Sequence, residues 1–192
     1  MTRHFLMYFA FALCTSLTQC SKTTVDPNTL PPETQTGAGT FACLINGAVW
    51  QYKNADNFYT SPKTRWEFDP NSMGGLLTVS AIRYSDGINS DAILSLAADS
   101  LLFKKEKYVS KSYFGDFGID YRDNSHNKVG CKEYYTIPVF DSTSFFYSNG
   151  KLTLTKLDQN ARIISGLFYC TIYQTGCDTL KITDGRFDLK YQ

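Results

Sequence analysis

Apolar and polar residues alternate with a period of two along most of the chain beyond residue 40, and the alternation runs longest near the end. Leu152 and Leu154 alternate with Thr153 and Thr155, and Asp158-Gln159-Asn160 then supplies side chains that tolerate the backbone angles of a reversal. The return from Arg162 to Tyr173 places Phe168, Cys170 and Ile172 on one face, with Tyr169, Thr171 and Tyr173 on the other. Gly166 in mid-run predicts a bulge or a close backbone approach. Beyond a second turn near Gln174-Thr175-Gly176, Leu180 and Ile182 share one parity, while Phe187 and Leu189 have the other. A one-residue bulge near Asp184-Gly185 brings both pairs to one side. Residues 150–191 are thus predicted as a meander of three long strands.

The same period governs the rest. Thr40 to Ile45 and Ala48 to Tyr52 flank Asn46-Gly47, and Asn-Gly is a strong hairpin signal because both central residues need positive φ. Phe41, Cys43 and Ile45 share a face. Shorter strands are predicted at Thr64 to Phe68, Leu76 to Arg83, Ala92 to Ala98, Tyr108 to Phe114, Phe117 to Arg122 and Glu133 to Val139. Asp69-Pro70-Asn71, Ser85-Asp86-Gly87 and Asp123-Asn124-Ser125 separate some of them. Ser100 to Lys107 is open to a short helix or a strand. Roughly ten short strands without a long amphipathic helix describe an all-β antiparallel sandwich, a small barrel being the alternative.

The end of the meander also carries a resemblance. G-K-L-T-L-T-K-L-D, I-I-S-G-x-F and I-T-D-G-R-F-D-L-K-Y, together with L-P-P-E-T-Q-T-G-A-G-T-F-A-C-L-I-N-G-A-V-W from Leu30 to Trp50, resemble the signatures of an uncharacterised lipoprotein family of Bacteroidetes-type Gram-negative bacteria. The matches bracket residues 30 to 191, the middle being matched loosely. The resemblance implies location and fold, and no activity.

The first residues add an address. Arg3 and His4 precede the apolar run Phe5 to Leu13, too short to span a bilayer as a helix. Leu17-Thr18-Gln19-Cys20 then resembles a lipobox, with Gln19 where a small residue is usual. Residues 1–19 are read as a lipoprotein signal peptide and Cys20 as the lipidation site, the rival Cys14 being a worse fit after Leu13. Several acyl chains, such as palmitate, would anchor it stably. Residues 20–39, rich in Pro, Gly and Thr and without an aromatic ring, are read as a flexible tether. Residues 40–192 form the expected domain. Ser21 favours the outer membrane by resemblance to the enterobacterial sorting rule.

Charge narrows the partners. Nineteen Lys and Arg less Arg3 leave 18 basic residues against 18 acidic ones, which argues against nucleic acid and electrostatic adhesion to anionic lipid. Charged chemistry is sparse. His126 is the one histidine beyond the signal segment and has no zinc or triad signature around it. Asp116-Phe117-Gly118 lacks the other kinase motifs. Asp116, Asp120 and Asp123 lack calcium-loop spacing and read as solvated carboxylates. Lys104-Lys105-Glu106-Lys107 reads as a solvated edge or turn. Glu133-Tyr134-Tyr135 and Phe145-Phe146-Tyr147 put rings on both faces of their strands, so one face offers a platform for sugars or partner side chains.

Four cysteines remain in the exported domain, and an even number there suggests disulfides. Cys43 and Cys170 both sit on apolar faces, which predicts their pairing and leaves Cys131 for Cys177. No metal site, cofactor motif or nucleophile–base signature is found. The expected function is a non-catalytic binding or structural module of the cell envelope, with a glycan or envelope protein as candidate partner. A carboxylate-based hydrolase acting on glycan is the alternative.

Overall fold

The computed structural model describes residues 28–53, 64–84, 90–109, 116–125, 131–136 and 146–192. These hold eleven strands: β1 (Thr40–Ile45), β2 (Ala48–Gln51), β3 (Arg65–Asp69), β4 (Leu76–Tyr84), β5 (Ser90–Ala98), β6 (Glu106–Tyr108), β7 (Phe117–Asp123), β8 (Glu133–Tyr135), β9 (Phe146–Asp158), β10 (Ile163–Gln174) and β11 (Leu180–Lys190). A six-stranded sheet runs β2-β1-β11-β10-β9-β6 and a five-stranded sheet runs β3-β4-β5-β7-β8. Every ladder is antiparallel and neither sheet closes on itself. The fold is an all-β sandwich, not a barrel.

The meander β9-β10-β11 forms the middle of the larger sheet, and its irregularities lie where parity conflicts. At Asp184-Gly185 the register slips against both neighbours, and Asp184 adopts φ 51°. The slip lets Leu180 and Ile182 face the core together with Phe187 and Leu189, all four buried. Gly166 meets the slip in β9, where Ser165 opposes Lys156 and Gly166 opposes Leu154. It also permits a close approach, since a Cβ there would stand 2.6 Å from Phe187 Cζ. Gly185 is the reciprocal case, with the Phe168 ring over it. Both rings then reach the core, where Phe168 stacks on Phe41 at 5.3 Å between centroids. Across the sandwich, Phe68 meets Tyr191 edge-on at 5.0 Å.

The hairpin turn forms at Asn46-Gly47, with φ of 49° and 84°. Ser100 to Lys107 is a turn at Leu101–Phe103 followed by β6. The charged run at 104–107 needs a correction, because its last residue, Lys107, is not solvated. β6 pairs with β9, so the period of two turns Lys107 inward. Its side chain is fully buried, with Nζ 3.5 Å from the half-exposed Asp116 carboxylate.

The tether also ends earlier than expected. Residues 28–39 lie as a strap against the larger sheet instead of hanging free. Asp188, outward on β11 but buried, accepts the N–H groups of Thr36, Gly37 and Ala38 and the hydroxyls of Thr34, Thr36 and Ser165. Lys156 donates to Gln35 O, Arg186 to Pro31 O and Gln51 to Thr29 O. A segment too polar to form a core is held by one carboxylate that satisfies its backbone.

Of the expected disulfides, Cys131–Cys177 is present, with Cα atoms 5.5 Å apart. It joins the approach to β8 in one sheet to the turn after β10 in the other. Cys43 and Cys170 are unbonded, which corrects the expected pair. β11 runs between their strands, so two interstrand spacings of about 4.8 Å separate them. A disulfide tolerates Cα separations up to only about 7 Å. Sharing an apolar face did not make them neighbours.

Candidate functional site

The outer face of the five-stranded sheet carries a graded row. By register, Arg65, Ser80, Ser95, Asp120 and Tyr135 lie side by side across β3, β4, β5, β7 and β8. The adjoining row is Glu67, Thr78, Ala97 and Gly118. Long side chains stand on the flanking strands and small ones on the middle strands, so the face is hollow. The resulting trough encloses about 760 Å³, within the range of small-molecule and cofactor sites. Its floor offers the hydroxyls of Thr78, Ser80 and Ser95. Trp66 alternates to the inner face with Phe68 and anchors the β3 edge, its indole N–H donating to Lys190 O at 2.9 Å.

Asp120 is the carboxylate on the far side. Desolvation raises it above the usual carboxylate range, and a hydrogen bond from the Thr136 N–H opposes part of that rise. Glu67 faces it from β3, three interstrand spacings away, or about 14 Å. Paired glycosidase carboxylates stand roughly 5 to 9.5 Å apart. Glu133 is nearer on the same face, but Arg122 Nε holds it at 2.6 Å and the Tyr135 hydroxyl also bonds it. The trough presents hydrogen-bonding groups and does not bring two free carboxylates to hydrolytic spacing among the described residues.

A second surface lies on the larger sheet, beyond the strap. Tyr108, Lys151 and Tyr169 form one cross-strand row, and Tyr147 pairs with Tyr173 further along. These four tyrosines are 38–56% exposed, so the rings face outward and do not serve the core. Lys151 Nζ sits 5.6 Å from the Tyr108 ring centroid and 2.6 Å from Glu106.

The residues singled out from sequence divide among these places. Asp120 lines the trough, Asp116 pairs with Lys107, and Asp123 accepts from Ser125 in its own turn. Phe117 is core. Of the two aromatic clusters, Tyr135 borders the trough row, Tyr134 is buried, Tyr147 joins the tyrosine face, and Phe145 lies outside the described residues. His126 and Cys20 also lie outside them. Arg65, Ser80 and Ser95 carry no local sequence motif. Their signal was small polar residues at alternate positions of neighbouring strands, readable only once the strands are paired. Among the described residues no three His, Cys, Asp or Glu side chains cluster as metal ligands, and no helix is long and apolar enough to cross a membrane.

The architecture defines a two-sheet antiparallel sandwich with a trough on one outer face and a tyrosine surface on the other. No family model, curated protein or solved structure matches the chain.

Proposed function

We propose that this protein is a lipid-anchored binding module of the bacterial cell envelope, tethered at Cys20 to the outer membrane, whose trough holds a hydroxyl-rich ligand such as an oligosaccharide. The observation that carries this reading is the cross-strand row from Arg65 to Tyr135, with hydroxyls on its floor and charged groups at its sides. Sugar hydroxyls both donate and accept, and Ser80, Ser95, Arg65 and Asp120 supply both partners. The carboxylate spacing supports binding over hydrolysis. The signal segment and lipobox-like Cys20 support the location.

Screening the protein against immobilised neutral and acidic oligosaccharides tests the site. The wild type should retain at least one class, and Ser80→Trp, which fills the floor, should lose it while melting like the wild type. Equal retention by Ser80→Trp would remove the trough from the reading. Fatty-acid labelling tests the anchor separately: Cys20→Ala should be unlabelled.

The tyrosine face supports a second reading, contact with an envelope protein, because four exposed rings on one flat surface suit a protein interface. Tyr169→Ala with Tyr173→Ala should then abolish a cross-link that Ser80→Trp leaves intact.

A further inference from the structure

Two turns meet at one end of the sandwich. One joins β3 to β4 and the other follows β5, and three backbone bonds lock them together: Ser100 N–H to Met73 O, Leu101 N–H to Gly75 O and Leu102 N–H to Gly74 O, at 3.0–3.1 Å. Met73, Gly74, Gly75 and Ser100 all take positive φ, so this junction is a specified conformation. Two of the four are not glycine, a local strain that asks for a reason. Leu101 points inward and is buried, which roots the turn in the core. The side chains around it do the opposite: Phe103 is 78% exposed, Met73 51% and Leu102 37%. Gly74 lets the Phe103 ring lie against the neighbouring turn, since a Cβ there would stand 2.6 Å from it. Apart from the tyrosines of the larger sheet, these three are the exposed large hydrophobic residues among those described. Lys104 and Lys105 follow directly, both exposed and without an ion pair among the described residues. Of the acids nearby in sequence, Asp69 accepts the Asn71 N–H and Glu106 pairs with Lys151, while Asp99 precedes the turn.

We infer that this tip docks on the surface of an anionic bilayer, with Met73, Leu102 and Phe103 entering the boundary between headgroups and acyl chains and Lys104 and Lys105 meeting lipid phosphates. An apolar point flanked by lysines matches the layering of that boundary, apolar within and negative at the rim. The balanced charge argues against adhesion driven by net charge alone, but here two lysines act locally beside an apolar point. The chain's own length supplies the opportunity, a step that rests on the reading of Cys20 as anchor. From Cys20 to Asn28, the first described residue, eight residues (28 − 20) reach at most about 28 Å. A tether that short holds the domain beside the lipid at high effective concentration.

The test uses the acylated full chain carrying Phe103→Trp, with phosphatidylethanolamine–phosphatidylglycerol vesicles containing brominated lipid. Emission from the introduced indole should shift to the blue and be quenched beyond the wild-type background from Trp50 and Trp66. Adding Lys104→Ser and Lys105→Ser should weaken the tip's partitioning about fivefold per lysine, with the fold checked by circular dichroism, and phosphatidylcholine vesicles should give a similar loss. Flotation reads the anchor independently: if Cys20 is not acylated, flotation at low lipid fails while quenching at saturating lipid persists. Vesicle-bound protein whose introduced indole stays solvent-like and unquenched would overturn the inference. So would self-association abolished by Phe103→Ser in the absence of lipid.

Discussion

Asp188 receives six hydrogen bonds, five from the strap and one from Ser165. Burial alone would raise its carboxyl, but the donors from Thr34, Ser165, Ala38 and Thr36 outweigh that and hold it well below the usual range. The folded value therefore lies below the unfolded one. Its stabilisation is complete above the ordinary carboxylate range near pH 4 and is lost progressively as the pH falls from there through the depressed folded value. Asp188→Asn keeps the shape but removes the charge, and should cost about 2 to 3 kcal/mol. Urea unfolding from pH 6 down to pH 2 should show a falling limb in the wild type that is shallower in Asp188→Asn. Limited proteolysis should cut the variant within residues 28–39 first. Nothing in the Thr- and Pro-rich strap announced this, because the binding group sits about 150 residues away in sequence.

At the scale of elements, the two glycines under the phenylalanines and the turn glycine make a graded comparison. A Cβ at Gly185 would stand 2.6 Å from Phe168 O, a backbone atom that cannot rotate aside. Gly185→Ala should therefore destabilise by about 1 to 3 kcal/mol, as overpacking does. Gly47 has open space around it and only its φ of 84° to protect, so Gly47→Ala should cost about 1 kcal/mol. Urea midpoints for the two variants check the order, and an equal loss would assign no weight to the ring contact. The bulge was legible because Leu180 and Phe187 have opposite parity yet must share a core. Which glycine lies under which ring was not, since that follows from the diagonal geometry of paired strands.

On the scale of the whole molecule, Cys131–Cys177 closes a separation of 46 residues across the end of the sandwich. Its removal by Cys131→Ser with Cys177→Ser should cost about 4 kcal/mol in the chain-entropy account, read as a lower urea midpoint. Cys43 and Cys170 behave differently. Burial pushes each thiol up to about 12, so neither should react with iodoacetamide until the protein unfolds. A peptide linking them would contradict the strand order. β11 lies between β1 and β10, and truncation at Thr179 removes five core side chains and both neighbours' ladders. Circular dichroism of that fragment should show no cooperative transition.

Alternation, turn chemistry and the parity conflict at Asp184-Gly185 were enough to determine an all-β chain, its long closing meander and the Asn46-Gly47 hairpin. These are local properties, set by backbone angles and by a two-residue period that any strand obeys. The order of strands within each sheet is a different kind of fact, decided by which faces bury each other once the chain is closed. That order put β11 between two cysteines that shared a face, turned Lys107 inward, gave Asp188 a strap to hold, and aligned Arg65, Ser80, Ser95 and Asp120 from four separate strands into one trough.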